Sequence, residues 1–226
     1  MTAVVGNTSM VTPETGAAAK PVVALNRRTV DTVLVGLGAV FAVVLGIAAG
    51  LLTWGSNFSN DYVRKELSSQ EISFPSAAAL TEEGRTDLVK FADQKMVNGK
   101  QAEGYASFIN GHLAKIGGGK TYATIGADET AAKAAVKAAT DAGKPAADIA
   151  KLQATADGIT NTRNTLFKGE TLRGLLLSAF AWSTIGRIAG IASIAAYIAA
   201  AVMLLLVLLG LFHIRRLAHA HKAAAA

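Results

Sequence analysis

Three of the four histidines of this 226-residue chain fall in one short stretch, HIRRLAHAHK, residues 213–222, together with Arg215, Arg216 and Lys222. Imidazoles beside cations suggest a metal centre or an anion site, and spacing decides between them. On a helix, residues that share a metal stand three or four positions apart, whereas His213, His219 and His221 are separated by six and two. At 100° and about 1.5 Å per residue, His219 and His221 point roughly 200° apart, and His213 lies about 12 Å along the axis from His221. They cannot converge on one ion, so no 2-His-1-carboxylate iron site is expected. The fourth, His112, is followed by Leu113 and reads as a half-buried helix residue, with a ligand or a pH-sensing role as the alternative.

Other chemistry fails on similar grounds. GGGKT at Gly117–Thr121 resembles the end of a phosphate-binding loop, but Ala114 stands where the motif needs its first glycine, and a helix precedes it where a strand should. A flexible turn ending that helix is the expectation. There is no G-x-S-x-G elbow for a serine nucleophile. The carboxylates Glu82, Glu83, Asp87 and Asp93 are interleaved with Arg85, Lys90 and Lys95, which describes a solvated charged face. None has the apolar setting that raises a carboxyl for general-acid work. No catalytic, cofactor-binding or metal-ligating residue is therefore assigned, no cofactor is implied, and the protein is not expected to be an enzyme. The absence of cysteine removes disulfides, thiolate metal sites and iron–sulfur clusters.

The elements around these residues carry more information. With 51% hydrophobic and 17% charged residues the chain is more apolar than a usual soluble domain, and the excess is concentrated. Val33 to Thr53 is a run of 21 residues without a charge, and Ile188 to Ile214 one of 27. A bilayer's hydrocarbon layer, about 30 Å thick, takes roughly 20 apolar residues of helix. Both runs are apolar all round and lack the polar stripe of a core helix. A cleaved signal peptide competes for the first, yet its apolar core is too long, and Thr53-Trp54-Gly55-Ser56 offers no clear small-x-small cleavage site.

The net charge of +6 is not a nucleic-acid signal, because residues 55–173 hold 15 Lys/Arg against 14 Asp/Glu. The excess flanks the spans: Lys20, Arg27 and Arg28 before the first, Arg215, Arg216 and Lys222 after the second. Cytoplasmic flanks are enriched in Lys and Arg, so both termini are predicted to be cytoplasmic and residues 55–173 extracytoplasmic. The fold class expected is an all-α integral membrane protein, with two transmembrane helices and a small, mainly helical extracytoplasmic domain between them. Its segments are a disordered cytoplasmic tail (1–29), transmembrane helix 1 (30–54), the outer domain (55–173), an interfacial apolar helix (174–187), transmembrane helix 2 (188–214) and a basic cytoplasmic tail (215–226).

Small residues at intervals of four, Gly38, Ala42, Gly46 and Gly50, with Gly186 and Gly190 on the second helix, form a candidate helix-packing seam, either within the hairpin or for a partner. Trp54 and Arg187 are placed at the outer interface and Arg215 and Arg216 at the inner one, Arg187 by counting 20 to 25 residues back from Arg215. Burial of Arg187 against a partner's carboxylate is its alternative. Phe180 and Trp182, in the apolar segment entering the second span, are candidate partner contacts. In the outer domain, Ala102, Tyr105, Ile109, Leu113 and Ile116 lie on one helix face that Gly117–Gly119 ends. TAAKAAVKAATDA forms a second helix stopped at Gly143, and Pro145 opens a third through Ile149, Leu152, Ala156, Ile159, Arg163 and Leu166. The stretch 68–79, with EISF, could be extended.

YASFINGHLAKIGGGKTYATIG and NTLFKGETLRGLLLSAFAW, the latter followed by an apolar span, resemble a family of small actinobacterial membrane proteins with two spans and an intervening outer domain. The likeness covers the order of segments along most of the chain and is sharpest from His112 to Tyr122 and at the entry to the second span. Members often carry the label "aromatic ring-opening dioxygenase", which implies an iron enzyme. The histidine spacing does not support one, and the label is read as an error on a family without an assigned function. The expectation is a non-enzymatic accessory subunit or assembly factor of a larger plasma-membrane complex, with a respiratory one as the context. Its partners would be the lipid bilayer and other membrane protein subunits, with no nucleic acid. An extracytoplasmic sensor or ligand-binding module is the alternative.

Overall fold

In a computed structural model, the backbone is described for residues 27–224 and the side chains for 27–217. Of the predicted tail, residues 1–26 lie outside the described residues, as do the side chains of His219, His221 and Lys222, while residues 27–29 are not disordered but form the first turn of a helix. The elements in chain order are α1 (Arg27–Ser69), α2 (Ala77–Glu82), a 3-10 helix (Thr86–Phe91), α3 (Gly99–Ile116), α4 (Ile125–Asp141) and α5 (Ala146–Ala224). Among the described residues there is no strand beyond a single antiparallel bridge between Ser73 and Lys95. Two helices, α1 and α5, are long and apolar enough to cross a membrane. Only 6% of the most apolar stretch of each is buried, whereas a core helix of a soluble protein would be mostly covered.

Both long helices overrun the boundaries drawn from composition. The helix of the first span does not end near Trp54 but continues 15 residues to Ser69: the Gly, Ser and Asn residues at 55–60 would suit a turn, but Ser56 and Ser59 pack against α5 and tertiary contact overrides local preference. The predicted third outer helix, the interfacial helix 174–187 and the second span are one unbroken helix of 79 residues. Pro145, just before its first turn, is the last proline of the chain, so nothing after it removes a backbone donor.

The chain forms two compact units, Met1–Phe41 with Met203–Ala226, and Ala42–Val202. In the first, Gly38 of α1 faces Val207 and Met203 of α5, a Cβ on it standing 3.1 Å from Val207 Cγ2, and Gly210 faces Val35.

The second unit holds the core. Val63 and Leu67 of α1, Phe74, Leu80 of α2, Leu88 of the 3-10 helix, Met96, Ala102, Ala106 and Phe108 of α3, and Leu176 of α5 form one buried cluster. Each fully covered Leu, Met or Phe contributes about 1.5–3 kcal/mol of transfer free energy. The rings of Phe91, Phe74, Tyr105 and Phe108 touch in sequence, with centroids 5.2, 5.3 and 5.7 Å apart. Burial raises the Tyr105 hydroxyl above its ordinary pKa.

Local chemistry sets the short elements. Ser76 caps α2 by accepting from Ala79 N, and Asn98 caps α3 by accepting from Gln101 N. Gln101 is buried, yet its amide accepts from Val97 N at 2.8 Å and donates to Gln94 Oε1 at 3.0 Å. The EISF stretch is extended only around the bridge, where Met96 N donates to Ile72 O and Phe74 N to Gln94 O. Gly117–Gly119 ends α3 as expected, with Gly118 and Gly119 at φ of 58° and 79°, where side chains with a Cβ are strained. On α3 the predicted face is displaced. Ala102 and Leu113 are buried and Tyr105 and Ile109 partly so, but Ile116 is exposed, because the core lies toward the first three turns.

Candidate functional site

In the second unit α1 and α5 approach closely through small residues. Ser59, 3% exposed, donates its hydroxyl to Trp182 O at 2.5 Å. A Cβ on Gly186 would stand 3.0 Å from Ser59 Cβ, and one on Gly190 2.9 Å from Ser56 Oγ. Ser193 is buried and returns its hydroxyl to Gly190 O at 2.8 Å. Gly186 and Gly190 are thus packing positions within the chain, as is Gly38 in the first unit. Ala42 is half-buried. Gly46 and Gly50 are not in the seam, since a Cβ on either meets nothing within 4 Å. The reason is geometric: a step of four residues advances 400°, so each interval drifts about 40° round the helix. After three intervals Gly50 points roughly 120° from Gly38. The buried residues of α1 in the second unit instead run Ala49, Ser56, Ser59, Val63, Leu67, in steps of seven, three, four and four that average about 3.6 residues per turn and so stay on one face of the helix.

Beside this seam lies an aromatic row. Trp54, Phe58 and Tyr62 stack at successive i, i+4 positions, with centroids 5.6 and 6.2 Å apart, and all three are exposed. Leu175, Trp182 and Ile185 of α5 are exposed as well. A groove of about 330 Å³ opens among Tyr62, Leu67, Ile72, Leu175, Leu176 and Trp182, with Glu66, Gln70 and Ser178 also on its walls. Of the two predicted partner contacts, Trp182 is half exposed and lines this groove, whereas Phe180 is partly covered. Lys100 Nζ lies 5.8 Å from the Phe180 ring centroid, and the Phe180 backbone abuts Gly99. Arg187, Arg215 and Arg216 are all exposed.

The titratable groups form local pairs. Arg85 holds Asp87 through two hydrogen bonds of 3.0 and 2.9 Å, which lower the carboxyl and raise the guanidinium, and reaches Ser107 Oγ on α3. His112 packs edge-on against Phe108 at 4.5 Å, and its Nε2 lies 3.0 Å from Glu83 Oε2, an ion pair when the imidazole is protonated. The angle is poor, so that atom makes no hydrogen bond. Among the described residues no group of three or more His, Asp and Glu is placed to hold a metal ion.

One cluster escaped sequence reasoning. Glu129 of α4 is buried and accepts from Lys133 Nζ at 2.6 Å and, across to α5, from Arg163 Nη1 at 2.6 Å and Thr160 Oγ1 at 2.8 Å. These bonds, Lys133's first, hold its carboxyl down to about 2. Arg163 also lies over the Tyr122 ring at 4.6 Å. Glu129 and Lys133 at i, i+4 are legible as a pair, but nothing local points to Arg163, 34 residues on. Leu113, Ile125 and Leu166 pack beside the cluster, so α4 is fastened to α5 by an ion pair and a small apolar patch.

Compared with protein-family models, with curated proteins and with solved structures, the chain matches none. The arrangement itself defines a class only coarsely: a helical protein with two apolar helices fit for lipid contact, and between them a packed helical domain with an exposed aromatic face.

Proposed function

We propose that the protein is a non-enzymatic accessory or assembly subunit of a larger plasma-membrane complex, with both termini cytoplasmic and residues 55–173 outside. The observation that carries this reading is an apolar surface longer than a bilayer can cover. On α5, exposed apolar residues run from Leu175 to Phe212, 37 steps, or about 56 Å. At a typical tilt of about 20° that length projects roughly 53 Å onto the membrane normal, against about 40–45 Å for a bilayer with both headgroup layers. Residues 188–212 alone account for the hydrocarbon layer. What remains is Leu175, Trp182 and Ile185, joined by Phe58 and Tyr62 of α1, an apolar face that needs a protein partner rather than lipid. Trp and Tyr at its centre are the residue types that dominate association energy. A respiratory complex is the context proposed for that partner.

Purification of the tagged full chain in mild detergent tests this. A stoichiometric membrane-protein partner is expected, and the pair Leu175→Ser with Trp182→Ser should weaken its retention by about 30-fold or more, as loss of an aromatic hot spot does. Migration of the wild-type chain alone would overturn the reading. The groove beside Tyr62 and Trp182 favours a second reading, an outer ligand-binding module. Saturable thermal stabilisation of the partner-free chain by a cell-envelope extract would distinguish it.

A further inference from the structure

On another stretch of the same two helices lies a second cavity of different character. It has a volume of about 490 Å³ and is lined by Asn60 of α1, Phe91, Asn98 and Lys100 at the start of α3, and Phe180, Ser183, Thr184 and Arg187 of α5. Two cations, two amides and two hydroxyls therefore border one space. Arg187 has no ion-pair partner among the described residues, and Lys100 has only Glu103, at a loose 3.8 Å. The cavity's lining holds two like charges and no carboxylate, and an anion placed between them would be attracted by both. The donor set suits phosphate: a guanidinium that binds oxyanions bidentately, an ammonium that acts as a point charge, and neutral donors for the remaining oxygens.

The depth of the cavity identifies the source. Arg187 is the last charge before the apolar run that starts at Ile188 and continues without a charge to Ile214. A bilayer's hydrocarbon layer takes roughly 20 apolar residues of helix, so a charge at the edge of such a run stands in the headgroup layer. The cavity that Arg187 lines opens at that layer, beside the exposed apolar surface of Ile188 and Ile191 on which acyl chains would lie.

We propose that this cavity binds the phosphate of an anionic phospholipid, its headgroup held by Lys100 and Arg187 and its chains lying along the span. The inference rests on the membrane-spanning reading of α1 and α5, and not on the existence of a partner complex or on which side is the cytoplasm.

The test uses the full chain purified in detergent, with native mass spectrometry counting retained lipid after exchange into phosphatidylcholine, phosphatidylglycerol or their mixture. Phosphatidylglycerol should be retained selectively. The double variant Lys100→Gln with Arg187→Gln should weaken that retention by about tenfold or more, as loss of two charge-assisted contacts implies. Arg64→Gln with Lys65→Gln removes the same charge elsewhere on this side and should leave retention unchanged. Thermal unfolding of each variant in phosphatidylcholine shows that the fold survives, and Lys100→Arg should restore binding. Equal retention of both lipids, or equal losses in the two double variants, would overturn the site. Displacement of phosphatidylglycerol by inorganic phosphate at similar concentrations would overturn the lipid as its source and leave a free oxyanion in its place.

Discussion

A methyl group added at a glycine separates the seam residues that touch a neighbour from those that do not. Gly186→Ala places a Cβ 3.0 Å from both Ser59 Cβ and Oγ and 3.2 Å from Asn60 Oδ1. Ser59 Cβ is fixed to its backbone, and its hydroxyl is already committed to Trp182 O, so α1 and α5 must part by several tenths of an ångström. Overpacking of this kind costs about 1–3 kcal/mol. Gly50→Ala meets nothing within 4 Å and should gain whatever helix propensity gives, up to about 1 kcal/mol. Comparing the two cancels propensity, because both are Gly→Ala inside a helix. The difference, about 1–3 kcal/mol, is then the packing cost alone. It is measured by unfolding of the purified full chain in mild detergent, followed by far-ultraviolet circular dichroism. Adding Ser59→Gly, which removes the obstructing Cβ, should return much of the loss in a double-mutant cycle. Equal stabilities for Gly186→Ala and Gly50→Ala, or no coupling to Ser59, would refute the register of the two helices.

Two predictions concern the attachment of α4. The Glu129 carboxyl is depressed from its ordinary 4.5 to about 2, so its contribution is fully present above pH 4.5 and is lost as pH falls from there toward 2. Hydrogen-exchange protection of α4 amides should therefore drop over that window. In Glu129→Gln the acid-dependent drop should vanish, and its persistence unchanged would assign it to another group. Leu166, 2% exposed between Leu113 and Ile125, should cost about 2–5 kcal/mol when cut to Ala. Exchange in α4 should accelerate by about 30-fold or more, whereas amides of α3 near Ala102 and Ala106 should change far less, because they sit in the other cluster. Uniform acceleration everywhere would show that the domain opens as one unit.

The parts of the fold that were legible in sequence are those set by local rules. Pro145 opening a helix, Gly117–Gly119 ending one and Gly143 closing α4 depend on φ and on one missing donor, and each lies where the sequence places it. The spans were legible because length and charge-free composition need no tertiary context. Helix ends inside an apolar chain were not, since a drop in hydropathy is not a stop signal, and so α1 and α5 run past the ends of their apolar stretches. The seam was half legible. Smallness marks where helices can approach, but the facing residues follow the helix period near 3.6, and a ladder of four leads from Gly38 onto open surface at Gly46 and Gly50. Ser56 and Ser59, which do face α5, were concealed as ordinary small polar residues. Phe58 and Tyr62 were concealed because only their relation to Trp54 at successive i+4 positions marks them as a row.

The continuity of α5 makes the membrane reading testable with one helix. The chain has no cysteine, so a single introduced thiol reports without background. Ala154 and Leu217 are both exposed on α5 and stand on either side of its charge-free run from Ile188 to Ile214. Two points so placed on a helix crossing the membrane once between them must lie on opposite sides. In intact cells, a membrane-impermeant maleimide should therefore label Ala154→Cys and not Leu217→Cys, and lysis should expose the second. The reverse pattern would keep the span and invert the orientation, leaving the basic flanks Arg27, Arg28, Arg215 and Arg216 outside against the usual charge bias. Labelling of both in intact cells would remove the crossing itself. In that outcome the apolar surface from Val33 to Leu51 and from Ile188 to Phe212 would need a protein partner along its whole length.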